Sequence, residues 1–240
     1  MQEQSYYQKI REEIAAAAID SGRDPSSISL IAVTKQVDWQ TAFQLYDQGQ
    51  RDFAENRYEE AMRKKEEAPK DCRWHFIGRL QKNKVRRVIG EFDLIHSVDS
   101  CDLAEKISAV SLEKGIVTAI LLQANTSGET SKSGLNPEAW KECFESILAL
   151  KGVSVLGLMT MAPLTDNEGQ IRQCFSKLRK LRDELQWVAG RRADLRELSM
   201  GMSHDFKIAI QEVLQWSELV QLFLRSLGLF LCSIKPEVVG

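Results

Sequence analysis

Lys35 closes the run Leu30-Ile31-Ala32-Val33-Thr34-Lys35. A lysine so soon after an apolar run reads as the end of a buried strand. Low dielectric disfavours an ammonium, and the neutral amine is the form that condenses with an aldehyde. The competing reading is a lysine that snorkels from a strand end to water. A second group is Leu198-Ser199-Met200-Gly201-Met202-Ser203-His204-Asp205. A serine hydroxyl, a glycine that admits close backbone approach and a helix start suit a phosphate. Capping of that helix by Ser203 or Asp205 would use the same segment. His75, inside Trp74–Gly78, reads as either a ligand contact or a hydrogen-bonded core histidine. Asn56 follows Phe53-Ala54-Glu55 and either donates to a ligand or caps the next helix. Met159 lies in an apolar strand and is core by default.

Other features point away from chemistry. Arg79, Lys82, Lys84, Arg86 and Arg87 form a basic segment without interleaved aromatics, which reads as a solvated face rather than a nucleic-acid patch. The chain has 32 Lys+Arg against 34 Asp+Glu, so charge gives no pull toward nucleic acid or an anionic membrane. The 5 cysteines are scattered, with no C-x-x-C pair. That spacing predicts neither a metal site nor a disulfide framework, but small hydrophobes in a reducing cytoplasm. No signal peptide and no run of ~18 apolar residues is visible, so a cytoplasmic location without a membrane span is expected.

Something must hold these residues together. Apolar bursts at Ser29–Val33, Arg51–Phe53, Trp74–Gly78, Phe92–Ser97, Val117–Gln123, Val153–Met159 and Leu195–Ser199 alternate with amphipathic stretches. The stretches include Trp39–Gln48, Glu55–Glu67, Asp102–Lys114, Pro137–Leu150 and Glu168–Val188. That alternation indicates βαβ units around a parallel sheet. An extra helix over about Gln4–Ser21 precedes the first burst. The chain of 240 residues suits an α/β fold, a single (β/α)8 TIM barrel, which takes ~250. No G-x-G-x-x-G follows the first strand, which weighs against a dinucleotide fold. In a barrel, the chemistry sits at the strand C-terminal ends. Those ends read Lys35, Asn56, His75, Ser97 or Asp99, Asn125, Thr160 and Ser199.

Taken in order, Ala32–Lys35, Phe53–Asn56, Trp74–Lys84, Ser97–Asp99, Glu129–Gly134, Gly157–Met161 and Leu198–Ser203 resemble the pyridoxal phosphate homeostasis protein family (YggS/PROSC-like). The resemblance runs from about residue 5 to 212. That family is similar in turn to the barrel domain of alanine racemase, fold type III. The resemblance implies a Schiff base between Lys35 and pyridoxal 5'-phosphate. It places Ser199 and Gly201 at the phosphate and Asn56, His75 and Met159 around the ring. Ala54 stands where the family usually has glycine, a small departure.

The resemblance stops at the eighth strand. The family continues there with Val-Arg-Ile-Gly-Thr-x-Ile-Phe-Gly, whose Arg faces the pyridine nitrogen and whose Gly and Thr serve the phosphate. This chain reads Val213-Leu214-Gln215-Trp216-Ser217-Glu218-Leu219-Val220-Gln221-Leu222-Phe223. Started one base earlier, at the last base of the Glu212 codon, permitted codons spell Gly-Thr-Ala-Met-Val-Arg-Ile-Gly-Thr-Ala-Ile-Phe. Residues 1–212 are therefore read as the cofactor-binding barrel, and 213–240 as a divergent, frame-shifted tail. The rival for Leu219–Ile234 is an amphipathic or membrane-seeking helix.

A barrel that binds pyridoxal phosphate need not be an enzyme. Racemisation needs a base on each face of the Cα. The four tyrosines, Tyr6, Tyr7, Tyr46 and Tyr58, all precede residue 60, and no second domain supplies another. The resemblance implies a non-catalytic carrier in vitamin B6 and amino-acid homeostasis, with no catalytic residue and no metal. Pyridoxal phosphate and enzymes dependent on it are the expected partners, and a monomer is expected. The alternatives are a weak amino-acid racemase and a regulatory interaction protein with structural cofactor.

Overall fold

The computed structural model describes residues 5–129 and 132–212, and the backbone of 219–225. Eight parallel strands close into a barrel in chain order, with β8 against β1. They are β1 (Ile28–Val33), β2 (Asp52–Glu55), β3 (Arg73–Phe76), β4 (Leu94–Val98), β5 (Thr118–Gln123), β6 (Val153–Met159), β7 (Glu197–Met202) and β8 (Leu219–Arg225). The helices are α1 (Tyr6–Asp20), α2 (Trp39–Asp47), α3 (Tyr58–Glu67), α4 (Val85–Val88), α5 (Cys101–Glu113), α6 (Pro137–Leu148), α7 (Glu168–Ala189) and α8 (Phe206–Glu212).

Strand alternation divides the core in two. Ile31, Val33, Ala54, Leu94, Leu121 and Met159 fill the barrel interior. Their neighbours, such as Ala32 and Phe53, face outward and join Trp140, Phe144 and Phe175 beneath the helices. Helices start just past the strand ends because short polar residues cap them there. Asp38, Ser100, Asn136 and Asn167 each accept a backbone N–H of the first turn of α2, α5, α6 and α7. These caps mark where the four helices begin.

Two sequence expectations are corrected. Leu219–Arg225 is a strand, not part of a helix, and it pairs in parallel with both β1 and β7, with a register shift on the β7 side. Two strands that need a partner and an apolar, β-prone segment are reason enough. The barrel therefore runs past the boundary drawn at Glu212. Residues 213–218 and 226–240 of the proposed tail lie outside the described residues. Cys101 and Cys143 form a disulfide, against the expectation of none. Their separation of 42 residues hides the fact that α5 and α6 are neighbours on the barrel wall, which brings the two Cα atoms to 6.6 Å. Cys72 and Cys174 are buried and free, as the small-hydrophobe reading requires.

The basic segment behaves as a solvated face. Lys82 pairs with Asp102, Arg86 with Glu113 and Arg87 with Glu59. Among the described residues, no helix is long and apolar enough to cross a membrane.

Candidate functional site

Lys35 continues the inward alternation of Ile31 and Val33 one step past β1, which puts it at the barrel mouth. It is half-buried, and among the described residues no hydrogen bond or ion pair holds its amine. The backbone turns sharply after it: Val37 N–H donates to the Thr34 carbonyl at 3.2 Å, and Gln36 sits at φ 73°. That left-handed conformation is costly for a residue with a Cβ.

Asn56 continues the alternation of Ala54 past β2 and so lies beside Lys35. The end of β1 is tied to β2 by Thr34 N–H to the Ala54 carbonyl, 3.1 Å, and β2 to β3 by Ile77 N–H to the Glu55 carbonyl, 3.0 Å. Among the described residues, Asn56 Oδ1 is buried without a partner, an acceptor open to a donor. Gly78 passes so close above that a Cβ there would stand 2.0 Å from the Asn56 carbonyl oxygen. Across the barrel, Met159 is buried in the interior cluster at the end of β6. Gly201 adopts φ 90°, which glycine alone takes without penalty, near the end of β7.

His75 and Ser199 are both buried, Ser199 directly beside Met159 in the β6–β7 pairing. They are joined by a polar chain that crosses the barrel. His75 Nε2 contacts Asp52 Oδ1 at 3.2 Å, His75 Nδ1 contacts His96 Nε2 at 2.9 Å, and His96 Nδ1 contacts Ser199 Oγ at 2.9 Å. Ser199 is 0% exposed. It stands two residues before Gly201, at the start of an irregularity in β7, with its hydroxyl engaged by His96. The serine that β7 brings to its end is Ser203, partly exposed in the turn after Met202. Two residues of this region escape a reading by strand ends. His96 shows only as a lone histidine in a strand. Lys64 looks like one more charge on an amphipathic helix, yet it is buried against Glu55.

The polarity of the interior chain follows from its acid end. Burial opposes ionisation of Asp52, but hydrogen bonds from His75 and Arg73 and their positive charge outweigh it and hold the carboxyl at about 2. Burial, then the charge of His75, pushes His96 well below the ordinary imidazole range, so His96 is neutral. The depressed Asp52 value stabilises the fold above its unfolded value near 4, and that contribution is lost as pH falls from about 4 through about 2. With Asp52 still partly exposed, its size is on the order of 1–2 kcal/mol. Acid unfolding monitored by circular dichroism is expected to show the wild type losing this increment between pH 4 and 2. Asp52→Asn is expected to lack it, and equal pH slopes for the two proteins would refute the assignment.

Among the described residues, the mouth thus presents a lysine amine that nothing engages, a buried amide oxygen without a partner, and a β7 end with Gly201 at positive φ and a partly exposed Ser203. These suit a small carbonyl compound bearing a hydroxyl and an anionic group. Among the described residues, no cluster of three or more His, Cys, Asp or Glu side chains could hold a metal ion.

Comparison with known proteins agrees with this chemistry. The family model for the N-terminal domain of alanine racemase matches residues 17–220. The pyridoxal phosphate homeostasis protein of Aquifex aeolicus is 43% identical over 206 residues, covering 85% of this chain and 89% of that protein. Its Pseudomonas aeruginosa counterpart is 35% identical over 209 residues, 87% and 88% of the two chains. Among solved structures, PipY of Synechococcus elongatus with pyridoxal phosphate bound superposes with a TM-score of 0.74 at 35% identity, covering 88% of this chain and 97% of that one. An alanine racemase of Clostridium difficile superposes at 0.67 with 14% identity, covering 89% and 55%, a likeness of fold alone. The chain belongs to the pyridoxal phosphate homeostasis protein family, whose barrel is that of the alanine racemase N-terminal domain.

Proposed function

We propose that this chain binds pyridoxal 5'-phosphate at the barrel mouth and buffers it in the cytoplasm, with Lys35 as the residue that carries it. The observation that carries the reading is the Lys35 amine, half-buried at a strand end and unengaged among the described residues. An amine and an aldehyde condense to a Schiff base with loss of water, and a second amine displaces the first by exchange. Reversible capture and release need nothing more. Asn56 Oδ1 would accept from the ring hydroxyl, Met159 would pack against the ring, and Gly201 with Ser203 would leave room for the phosphate. In this arrangement His75 and Ser199 support the pocket.

A carrier fits better than a racemase. Tyr7 and Tyr46 donate their hydroxyls to Gln50 and Asp71, and Tyr58 packs against the outer core, so none of these three is poised as a second base. Incubation of the loaded protein with amino acids in deuterated water tests the choice. The expected result is no Cα exchange above that of free pyridoxal phosphate, and stereospecific exchange would establish an enzyme. The carrier is taken to act as a monomer that passes cofactor to dependent apoenzymes.

The divergent end is part of the same reading. We take residues 213–240 to be translated from a shifted frame, because permitted codons restore the family strand. Gene sequencing settles it: codons after Glu212 that cannot spell Val-Arg-Ile-Gly-Thr in the shifted frame would end the idea.

A further inference from the structure

Lys64 is the least expected charge in the molecule. It lies on α3, is 6% exposed, and reaches the outer face of the barrel wall, the side opposite the Lys35 side chain. Its ammonium donates to the Thr34 carbonyl at 2.7 Å and to Glu55 Oε1. Thr34 Oγ1 donates to the same carboxylate oxygen at 2.7 Å, and Glu55 is fully buried. A buried ion pair is a poor source of stability, since an apolar pair of similar volume often does as well or better. Its place in the chain suggests another use. The Thr34 carbonyl belongs to the residue before Lys35, and Glu55 is the residue before Asn56.

The same carbonyl also closes the Thr34–Val37 turn, whose third residue is the left-handed Gln36. A strained backbone persists only where its surroundings over-determine it. Here two donors converge on one carbonyl, one of them a buried cation whose own position is fixed by Glu55. We propose that Lys64, acting through Thr34 and Glu55, is a positioning residue that holds the strained turn and so sets the Lys35 amine where a bound aldehyde meets it. This rests on the reading of Lys35 as the cofactor-bearing lysine. Lys64 does not itself take the aldehyde, because its amine is buried in the ion pair on the far side of the sheet.

The test uses two ligands on the full chain. Pyridoxal 5'-phosphate condenses with an amine; pyridoxine 5'-phosphate, an alcohol, fills the same pocket and cannot. Glu55→Gln/Lys64→Gln removes both charges together and leaves no lone buried ion, and circular dichroism checks its fold. Misplacing a reacting group by about 1 Å can cost ~100-fold in rate. Imine formation, followed by absorbance, is therefore expected to slow by roughly 10- to 100-fold in this variant. Pyridoxine 5'-phosphate affinity is expected to stay within about twofold of wild type, because non-covalent filling of the pocket does not depend on where the amine points. Adding Gln36→Gly is expected to restore most of the rate, since glycine holds the left-handed turn without being forced. Equal loss for both ligands, an unchanged rate, or no rescue by Gln36→Gly would overturn the positioning role. Failure of the underlying reading looks different: the wild type would form no imine, or Lys35→Ala would form it as well as wild type.

Discussion

Lys35→Ala is expected to lose all covalently held pyridoxal phosphate while keeping its fold. After reduction with borohydride and denaturation, the wild type should retain one cofactor per chain and the variant none. Separation of function from stability is expected because among the described residues the amine makes no hydrogen bond or ion pair whose loss would be felt. Substitutions that break no such feature usually cost within about 0.5 kcal/mol at the surface, and a little more is expected at this half-buried position. The variant should still take up pyridoxine 5'-phosphate, since Asn56, Met159 and the β7 end remain. Retention of a reducible adduct by Lys35→Ala would mean that another amine carries the cofactor.

The largest loss of stability is expected at Trp140. It is fully buried on α6 beneath the barrel wall, and its Nε1–H donates to the Gln123 carbonyl at the end of β5, 3.0 Å. Trp140→Ala leaves a large cavity and removes one of the two hydrogen bonds to the Gln123 carbonyl, which keeps that from Leu135 N–H, so a cost of about 3–5 kcal/mol is expected. For a chain of this size that is a fall in Tm of roughly 10 °C. The helix would then be held by Phe144, Ile147 and the Cys101–Cys143 cross-link, which typically contributes about 2–4 kcal/mol. Trp140→Ala should therefore be far more sensitive to reductant than wild type in thermal unfolding. A Tm within about 2 °C of wild type would show that the wall repacks around the gap.

The barrel was legible because period and punctuation agree along the chain. Every apolar burst named from the sequence became a strand within a few residues, from Ile28–Val33 to Glu197–Met202. Helix starts were legible where the amphipathic pattern opens, as at Pro137 of the stretch Pro137–Leu150. Of the site, Lys35 and Asn56 could be read because each falls where an alternating strand meets its loop. His75 and Ser199 carry the same strand signal. What the pattern hides is that His96 joins His75 to Ser199 and that His75 meets Asp52, contacts between residues far apart in sequence. Lys64 was hidden for a related reason: its partners are on β1 and β2. The disulfide was hidden because only the barrel wall brings α5 to α6. The eighth strand is the reverse case, where resemblance failed and a plain apolar segment, Leu219–Arg225, supplied the ladder.

The central claim is that Lys35 bears the cofactor in this chain as it stands, divergent end included. Peptide mapping by mass spectrometry of the borohydride-reduced, pyridoxal-phosphate-loaded protein tests it most directly. The account predicts one phosphopyridoxyl group per chain, on the peptide that contains Lys35. A modification spread over exposed lysines, or confined to a peptide without Lys35, would contradict it.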